Sequence, residues 1–292
     1  MIGKKKILGV GITDATKNEV LEYVIKNLEK FKKKLFIVTP NPEILVLANK
    51  DDAFKNVLNS ADLASPDGMG VLVAGRFLGK PLKERFTGVD LVESLCSRVA
   101  EKPITVGFFG GRDNVAVATA ECLQKRYPGL RVVFAGKEWP NDDFFNHLRA
   151  SNGTLLQNYG NKSSLSKNRQ QSNTNLTVNS SVSSQSSPLN AKYILPAAGI
   201  DILFVALGAP KQEFWISEHL DKIPVRVAVG VGGAFDYISG RIPRAPGFMR
   251  SVGLEWLFRL VVQPWRIKRQ LSLVEFVWLV LEEKMAGKRL VK

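Results

Sequence analysis

Ile202-Leu203-Phe204-Val205-Ala206-Leu207-Gly208-Ala209-Pro210-Lys211-Gln212-Glu213 decides how this chain is read. Six apolar residues in succession predict a short strand. Gly208-Ala209-Pro210 ends it, and the spacing of apolar positions over 210–220 predicts a helix directly after the turn. A strand that feeds a helix through a Gly/Pro turn is the repeating unit of a parallel sheet.

The same unit recurs outward in both directions. Residues 7–12, 35–38, 62–64, 104–109, 131–134 and 225–231 read as further strands. Residues 17–31, with Val20, Val24 and Leu28 along one face, read as a helix, as do 88–100 and 114–126. The expected fold class is α/β, a Rossmann-like, mainly parallel sheet flanked by helices. Such sheets bind ligands at the carboxyl ends of their strands. Thr39, Asp67, Gly110 and Gly208 each follow a strand-like run, so one rim is expected to carry all four.

Two regions depart from the alternation. Residues 151–196 are an insertion dominated by Ser, Asn, Gln and Thr, too polar to offset the entropy of ordering, and are expected to form a disordered surface loop. From 241 onward the chain carries eleven Lys/Arg against four Asp/Glu, half of the net charge of +14. The expected organisation is an α/β domain over 1–240 and a basic, amphipathic helical appendage over 241–292. Residues 271–283 hold an apolar run with basic flanks, which reads as an interfacial or docking helix, with a core helix as the alternative. The pI of 9.8 calls for an anionic partner: nucleic acid, a phosphorylated small molecule or acidic lipid. No signal-peptide pattern and no run of about 18–20 apolar residues is present, so a cytoplasmic protein touching the membrane from its inner face is expected. Cys96 and Cys122, without CxxC or His partners, read as inert core thiols.

Asp67 lies between Pro66 and Gly68, a carboxylate on a bent turn after a short apolar strand, where acid/base chemistry is often found. Turn formation alone also explains it. Thr39 and Asn41 are placed either to bond sugar hydroxyls or to cap the helix starting near Pro42. Gln212 sits in the first turn of a helix, where free N–H groups favour an anion. Gly107-Phe108-Phe109-Gly110-Gly111 departs from the dinucleotide fingerprint, yet a turn at Gly110 and Gly111 lets backbone approach a nucleotide diphosphate. Asp236 is a second carboxylate able to bond a ribose or sugar hydroxyl. Arg85 and Asp90 flank Thr87, a good N-cap, and a structural role suits them. Arg259, Arg266 and Arg269, spaced seven and three apart, fall on one face if the stretch is a single helix. No metal site is expected: the two histidines lack partners at useful spacing, and no Asp-x-Asp occurs.

Thr39-Pro40-Asn41-Pro42-Glu43, the 61–70 segment ending Ser65-Pro66-Asp67-Gly68-Met69-Gly70, the Gly208–Glu213 turn and the arginine-bearing tail, matching in order, together resemble the WecG/TagA/CpsF family of bacterial glycosyltransferases. That resemblance implies an inverting transfer of a hexose, N-acetylmannosamine or its uronic acid, from a UDP-sugar to a polyprenyl-diphosphate-linked GlcNAc, with no cofactor. It implies that Asp67 is the general base, that Gln212 is a polar pocket residue and that the Gly110 region receives the donor. The three arginines then meet a lipid diphosphate beside an anionic membrane surface, and self-association into a homo-oligomer is expected. The competing class, a basic α/β protein that binds nucleic acid without turnover, accounts for the pI but not for Asp67, Gln212 or the apolar helix, so nucleic acid is not the expected partner.

Overall fold

The computed structural model describes residues 2–31, 33–140, 199–251 and 253–289; of residues 31, 251, 266, 268–270 and 287–289 only the backbone is described, and the 151–196 insertion lies outside. In chain order the elements are β1 (Lys4–Ile7), β2 (Val10–Thr13), α1 (Lys17–Lys26), β3 (Leu35–Val38), α2 (Pro42–Lys50), α3 (Asp52–Ser60), β4 (Leu63–Ala64), α4 (Met69–Phe77), α5 (Gly88–Val99), β5 (Thr105–Gly110), α6 (Val115–Arg126) and β6 (Arg131–Gly136). After the insertion come β7 (Ile200–Ala206), α7 (Lys211–His219), β8 (Val225–Gly230), α8 (Ala234–Ile238), α9 (Gly247–Ser251), α10 (Glu255–Val262) and α11 (Ile267–Arg289). Six strands form one sheet in the order β4-β3-β8-β7-β5-β6, and every neighbouring pair runs parallel. The α/β expectation is met.

Strand side chains alternate between two apolar layers, as the two-residue period requires. Leu35, Ile37, Ile202, Phe204, Val227 and Val229 pack with α1, α5, α6 and α8. Phe36, Val38, Leu203, Val205 and Ala228 pack with α2, α3, α4 and α7 on the other face. Each such side chain contributes roughly 1.5–3 kcal/mol on full burial. Local signals fix the helix starts. Thr16 with Glu19, and Thr87 with Asp90, form reciprocal capping boxes, while Asn41 caps α2 with Pro42 in its first turn. The structural role expected for Asp90 is therefore present. Cys96 is buried and Cys122 half-buried, and both are free thiols.

Two expectations are corrected. Residues 7–12 are not one strand of the main sheet. Leu8 and Gly9 both take positive φ (48° and 77°), turning the chain into an antiparallel β1/β2 hairpin outside the six-stranded sheet. The 259–269 stretch is not one helix either. α10 ends at Val262, Pro264 opens a 3-10 turn through Arg266, and α11 begins at Ile267, because Pro264 offers no N–H to continue α10. Arg259 and Arg269 thus sit on different helices.

α11 packs along α2 and buries Phe276 and Val280 in the second apolar layer. Polar ties flank that contact: Glu275 pairs with Lys50 at 2.7 Å, and Glu283 accepts from Lys80 at 2.7 Å and from the Leu8 N–H at 2.8 Å. Its other side exposes Leu271, Val274, Val277, Trp278 and Met285, so the helix has one packed and one exposed apolar face. Among the described residues no helix is long and apolar enough to cross a membrane.

Candidate active site

The carboxyl ends of β3, β4, β5, β7 and β8 converge on one open cavity of about 1060 Å³. Thr39, Asn41, Asp67, Gly111, Gln212, Asp236 and Arg259 all line it; Gly110 does not. The side chains of Arg266 and Arg269 lie outside the described residues.

Asp67 is held by backbone on both sides. Its N–H donates to the Pro40 carbonyl at 3.0 Å, and its Oδ2 receives the Gly88 N–H at 3.4 Å. Gly68 takes φ +97°, a conformation L side chains rarely adopt, and a Cβ at Gly70 would stand 2.8 Å from Pro42 Cγ. The Pro-Asp-Gly turn thus lays the start of α4 against α2 and leaves the carboxyl at the cavity wall. Part of the Asp67 surface faces the cavity, but the protein encloses it closely. Burial pushes its pKa from an ordinary 3.8 up to about 7, and the negative charges of Glu255 and Asp90 push the same way. The Gly88 N–H and the Arg85 guanidinium oppose them. A carboxyl balanced near neutrality accepts a proton readily and remains partly ionised to do so.

A charged cluster surrounds this carboxyl. Arg244 meets Asp90 at 2.5 Å, Glu255 at 3.6 Å and Glu93 at 3.7 Å, and Arg85 meets Glu255 at 3.9 Å. Glu255 opens α10, so the cluster ties the C-terminal helices to α5 next to Asp67. Further along α10, Arg259 lies over the Tyr237 ring at 4.9 Å, and one of its terminal nitrogens comes within 2.8 Å of where a Cβ on Gly233 would stand. The guanidinium thus stands just beyond the end of β8, where Gly233 carries no side chain to displace it.

Three further candidates are engaged with the protein. The Thr39 hydroxyl donates to the Gly230 carbonyl at 2.9 Å, and Asn41 Oδ1 accepts the Ile44 N–H at 2.9 Å. Gln212 is almost fully buried: its Oε1 accepts from the Gly232 N–H at 3.0 Å and its Nε2 donates to Glu213 Oε1 at 2.7 Å. Its amide therefore shapes the cavity wall more than it offers free groups to a ligand. Gly107 lies within β5, while Gly110, its last residue (φ +97°), and Gly111 (φ +79°) form the turn; a Cβ on Gly111 would stand 2.1 Å from Val115 Cγ1. Among the described residues no group of three His, Cys, Asp or Glu side chains is placed to hold a metal ion.

Over residues 5–156 and 163–290 the chain matches the model of the Glycosyl transferase WecG/TagA/CpsF family. It belongs to that family. It is similar to the N-acetylglucosaminyldiphosphoundecaprenol N-acetyl-beta-D-mannosaminyltransferase of Bacillus spizizenii, 32% identical over 255 residues that cover 87% of this chain and 82% of that protein. The Bacillus subtilis protein of the same name is 30% identical over 264 residues, covering 90% and 86%. A Staphylococcus aureus protein, also of that name, is 28% identical over 292 residues, covering 98% and 95%. In this WecG/TagA/CpsF glycosyltransferase the Asp67 carboxyl and the Arg259 guanidinium line one cavity.

Sequence reading missed Glu255 and Arg244 as neighbours of Asp67, because the pairing spans most of the chain. It also passed over Glu213, fully buried on α7. A signal was available there: Glu213, Ile216 and Leu220 fall at helical spacing on the face turned to the sheet.

Proposed function

We propose that this protein transfers N-acetylmannosamine, or a closely related hexose, from a UDP-sugar to the GlcNAc of a polyprenyl-diphosphate-linked acceptor. One observation carries this. A single cavity joins the near-neutral carboxyl of Asp67 and the guanidinium of Arg259 at one wall to the apolar side chains of α4 and α11 at another, including Val73, Phe77, Phe276 and Val277. A substrate with a sugar-diphosphate head and an apolar tail has the same division. The names of the relatives, which specify an N-acetylglucosaminyldiphosphoundecaprenol acceptor and N-acetylmannosaminyl transfer, support the choice.

In the proposed step Asp67 takes the proton of the acceptor hydroxyl as that oxygen attacks the anomeric carbon. The new C–O bond forms as the bond to UDP breaks, and the bonding pair leaves with the diphosphate. One base and one displacement give inversion. Arg259, with Arg266 and Arg269 of the same tail, neutralises diphosphate charge in place of a divalent ion. Thr39, Asn41 and Asp236 border the sugars, and the Gly110-Gly111 turn brings backbone to the nucleotide. The exposed apolar side of α11, with Trp256 and Trp265, rests on an anionic membrane surface at the inner face of the cell membrane.

The test is a panel of UDP-hexoses offered with a short-chain polyprenyl-diphosphate-GlcNAc, with and without chelator. Mass analysis is expected to show one added N-acetylhexosamine with UDP-N-acetylmannosamine, undiminished by chelator. No product with any UDP-hexose, alongside salt-sensitive binding of RNA or DNA, would refute the proposal.

A further inference from the structure

Glu213 is a buried acid that the proposed chemistry does not use. It is fully inaccessible, its Oε2 has no hydrogen-bond partner among the described residues, and its Oε1 receives the Gln212 amide. Gln212 in turn holds the Gly232 N–H, and its side chain lies against Gly230, where a Cβ would stand 3.1 Å from Nε2. Gly230 is also the residue whose carbonyl receives the Thr39 hydroxyl. One chain of contacts thus runs from Glu213 through Gln212 to the 230–233 wall of the cavity.

We propose that Glu213 is a positioning residue for the transfer: it fixes the Gln212 carboxamide in the one orientation that binds the Gly232 N–H, and so sets the shape of the 230–233 wall of the cavity. Without an acceptor at Glu213 Oε1 the Gln212 N–H is left buried and unpaired, a cost that turning the carboxamide relieves only by giving up the Gly232 N–H. The flipped form presents an N–H to the Gly232 N–H, donor against donor, and the wall opens.

The surroundings of Glu213 favour the neutral acid in this role. Burial pushes its pKa up to about 7, and only the Gln212 amide and its own backbone N–H oppose that. Charged groups on the packed elements are engaged elsewhere. Lys34, before β3, donates to the carbonyls of Leu220 and Ile223; Arg226 on β8 pairs with Asp201; Lys55 and Asp52 on α3 pair with each other. On α7 itself, His219 Nδ1 is at the Trp215 carbonyl, and Lys211 and Glu218 are exposed. A neutral carboxyl accepts the Gln212 N–H without burying a charge. Ionisation above pH 7 leaves an unpaired charge that draws in water and loosens the start of α7.

This inference rests on the proposed transfer, so its test has an arm that needs no turnover. Hydrogen–deuterium exchange at Gly232 is compared in the wild type, Glu213→Leu and Glu213→Gln, alongside kcat and KM for the UDP-sugar across pH. Glu213→Leu is expected to speed Gly232 exchange and lower kcat/KM, each on the order of tenfold, by leaving the Gln212 amide unpaired. Glu213→Gln, which keeps an acceptor oxygen and cannot ionise, is expected to restore both to within about threefold and to abolish the decline above pH 7. Unchanged exchange in Glu213→Leu overturns the proposal, and so does a Glu213→Gln protein as impaired as Glu213→Leu. If Glu213→Leu fails to fold, the comparison of wild type with Glu213→Gln decides. Gly232 exchange must then rise through pH 7 beyond base catalysis in the wild type alone, and identical profiles overturn the proposal. Absence of sugar transfer in the wild type would count against the proposed function and leave the exchange arm intact.

Discussion

Asp67→Asn is expected to silence the protein and stabilise it at once. Asparagine keeps the size of the side chain and its aptitude for the turn but cannot accept a proton. General-base loss lowers rates by about 10²–10⁴. The stability effect follows from the same burial. The folded protein holds the Asp67 proton up to about pH 7, whereas the unfolded chain releases it near 3.8. Between those values the unfolded state binds fewer protons, so wild-type stability falls as pH rises. The full shift corresponds to an upper bound of ~4 kcal/mol. Asp67 borders an open cavity, and solvent there reduces the effect to about 2 kcal/mol. Asn does not titrate, so the two proteins should unfold alike near pH 4, while at pH 8 the variant should melt higher by roughly 4–8 °C. Calorimetry at both pH values, paired with single-turnover transfer, measures this. A variant less stable than the wild type at pH 8, or one turning over within about threefold of it, would refute the account of Asp67 as a buried base.

Charges beside Asp67 should move the acid limb of kcat/KM in opposite directions. Glu255→Gln removes a negative neighbour and shifts the limb to lower pH, while Arg85→Gln removes a positive one and shifts it higher; a common direction would contradict the cluster. Arg259→Ala should lower transfer by at least about tenfold, as loss of a charge-assisted phosphate contact does, with vesicle binding little changed. Phe276→Ala should lower stability by about 3–5 kcal/mol, read as a fall in melting temperature. Trp278→Ala, on the exposed side of α11, should leave melting within about 1 °C, since lone surface changes are near neutral, and weaken sedimentation with anionic vesicles.

The parallel sheet was legible because its strands are short apolar runs closed by Gly or Pro, with helices between them at the right period. Asp67 was legible for the same reason, as a carboxylate placed where a strand ends. The hairpin was not, because Leu8 adopts φ 48°, a conformation that sequence signals assign to Gly or Asn. The break between α10 and α11 was marked by Pro264, yet arginine spacing alone suggested continuity. The pairing of Glu255 with Arg85 and Arg244 has no local signature at all. It arises because the C-terminal helices return over the rim of the sheet, and spacing along a chain carries no information about such a return.

The anchoring of α11 has a bearing on genetics. A cavity wall contributed by this helix is held at its far end by Glu283 on the Leu8 N–H and Lys80, and the turn at Leu8 belongs to a hairpin outside the central sheet. In a random-mutagenesis screen for lost transfer, hits are therefore to be expected in the 4–13 hairpin, far along the chain from any group that touches a sugar. Such alleles would resemble catalytic lesions in an activity assay, yet a second-site change restoring the Leu8–Glu283 contact would suppress them. No suppressor of that kind exists for a lost base.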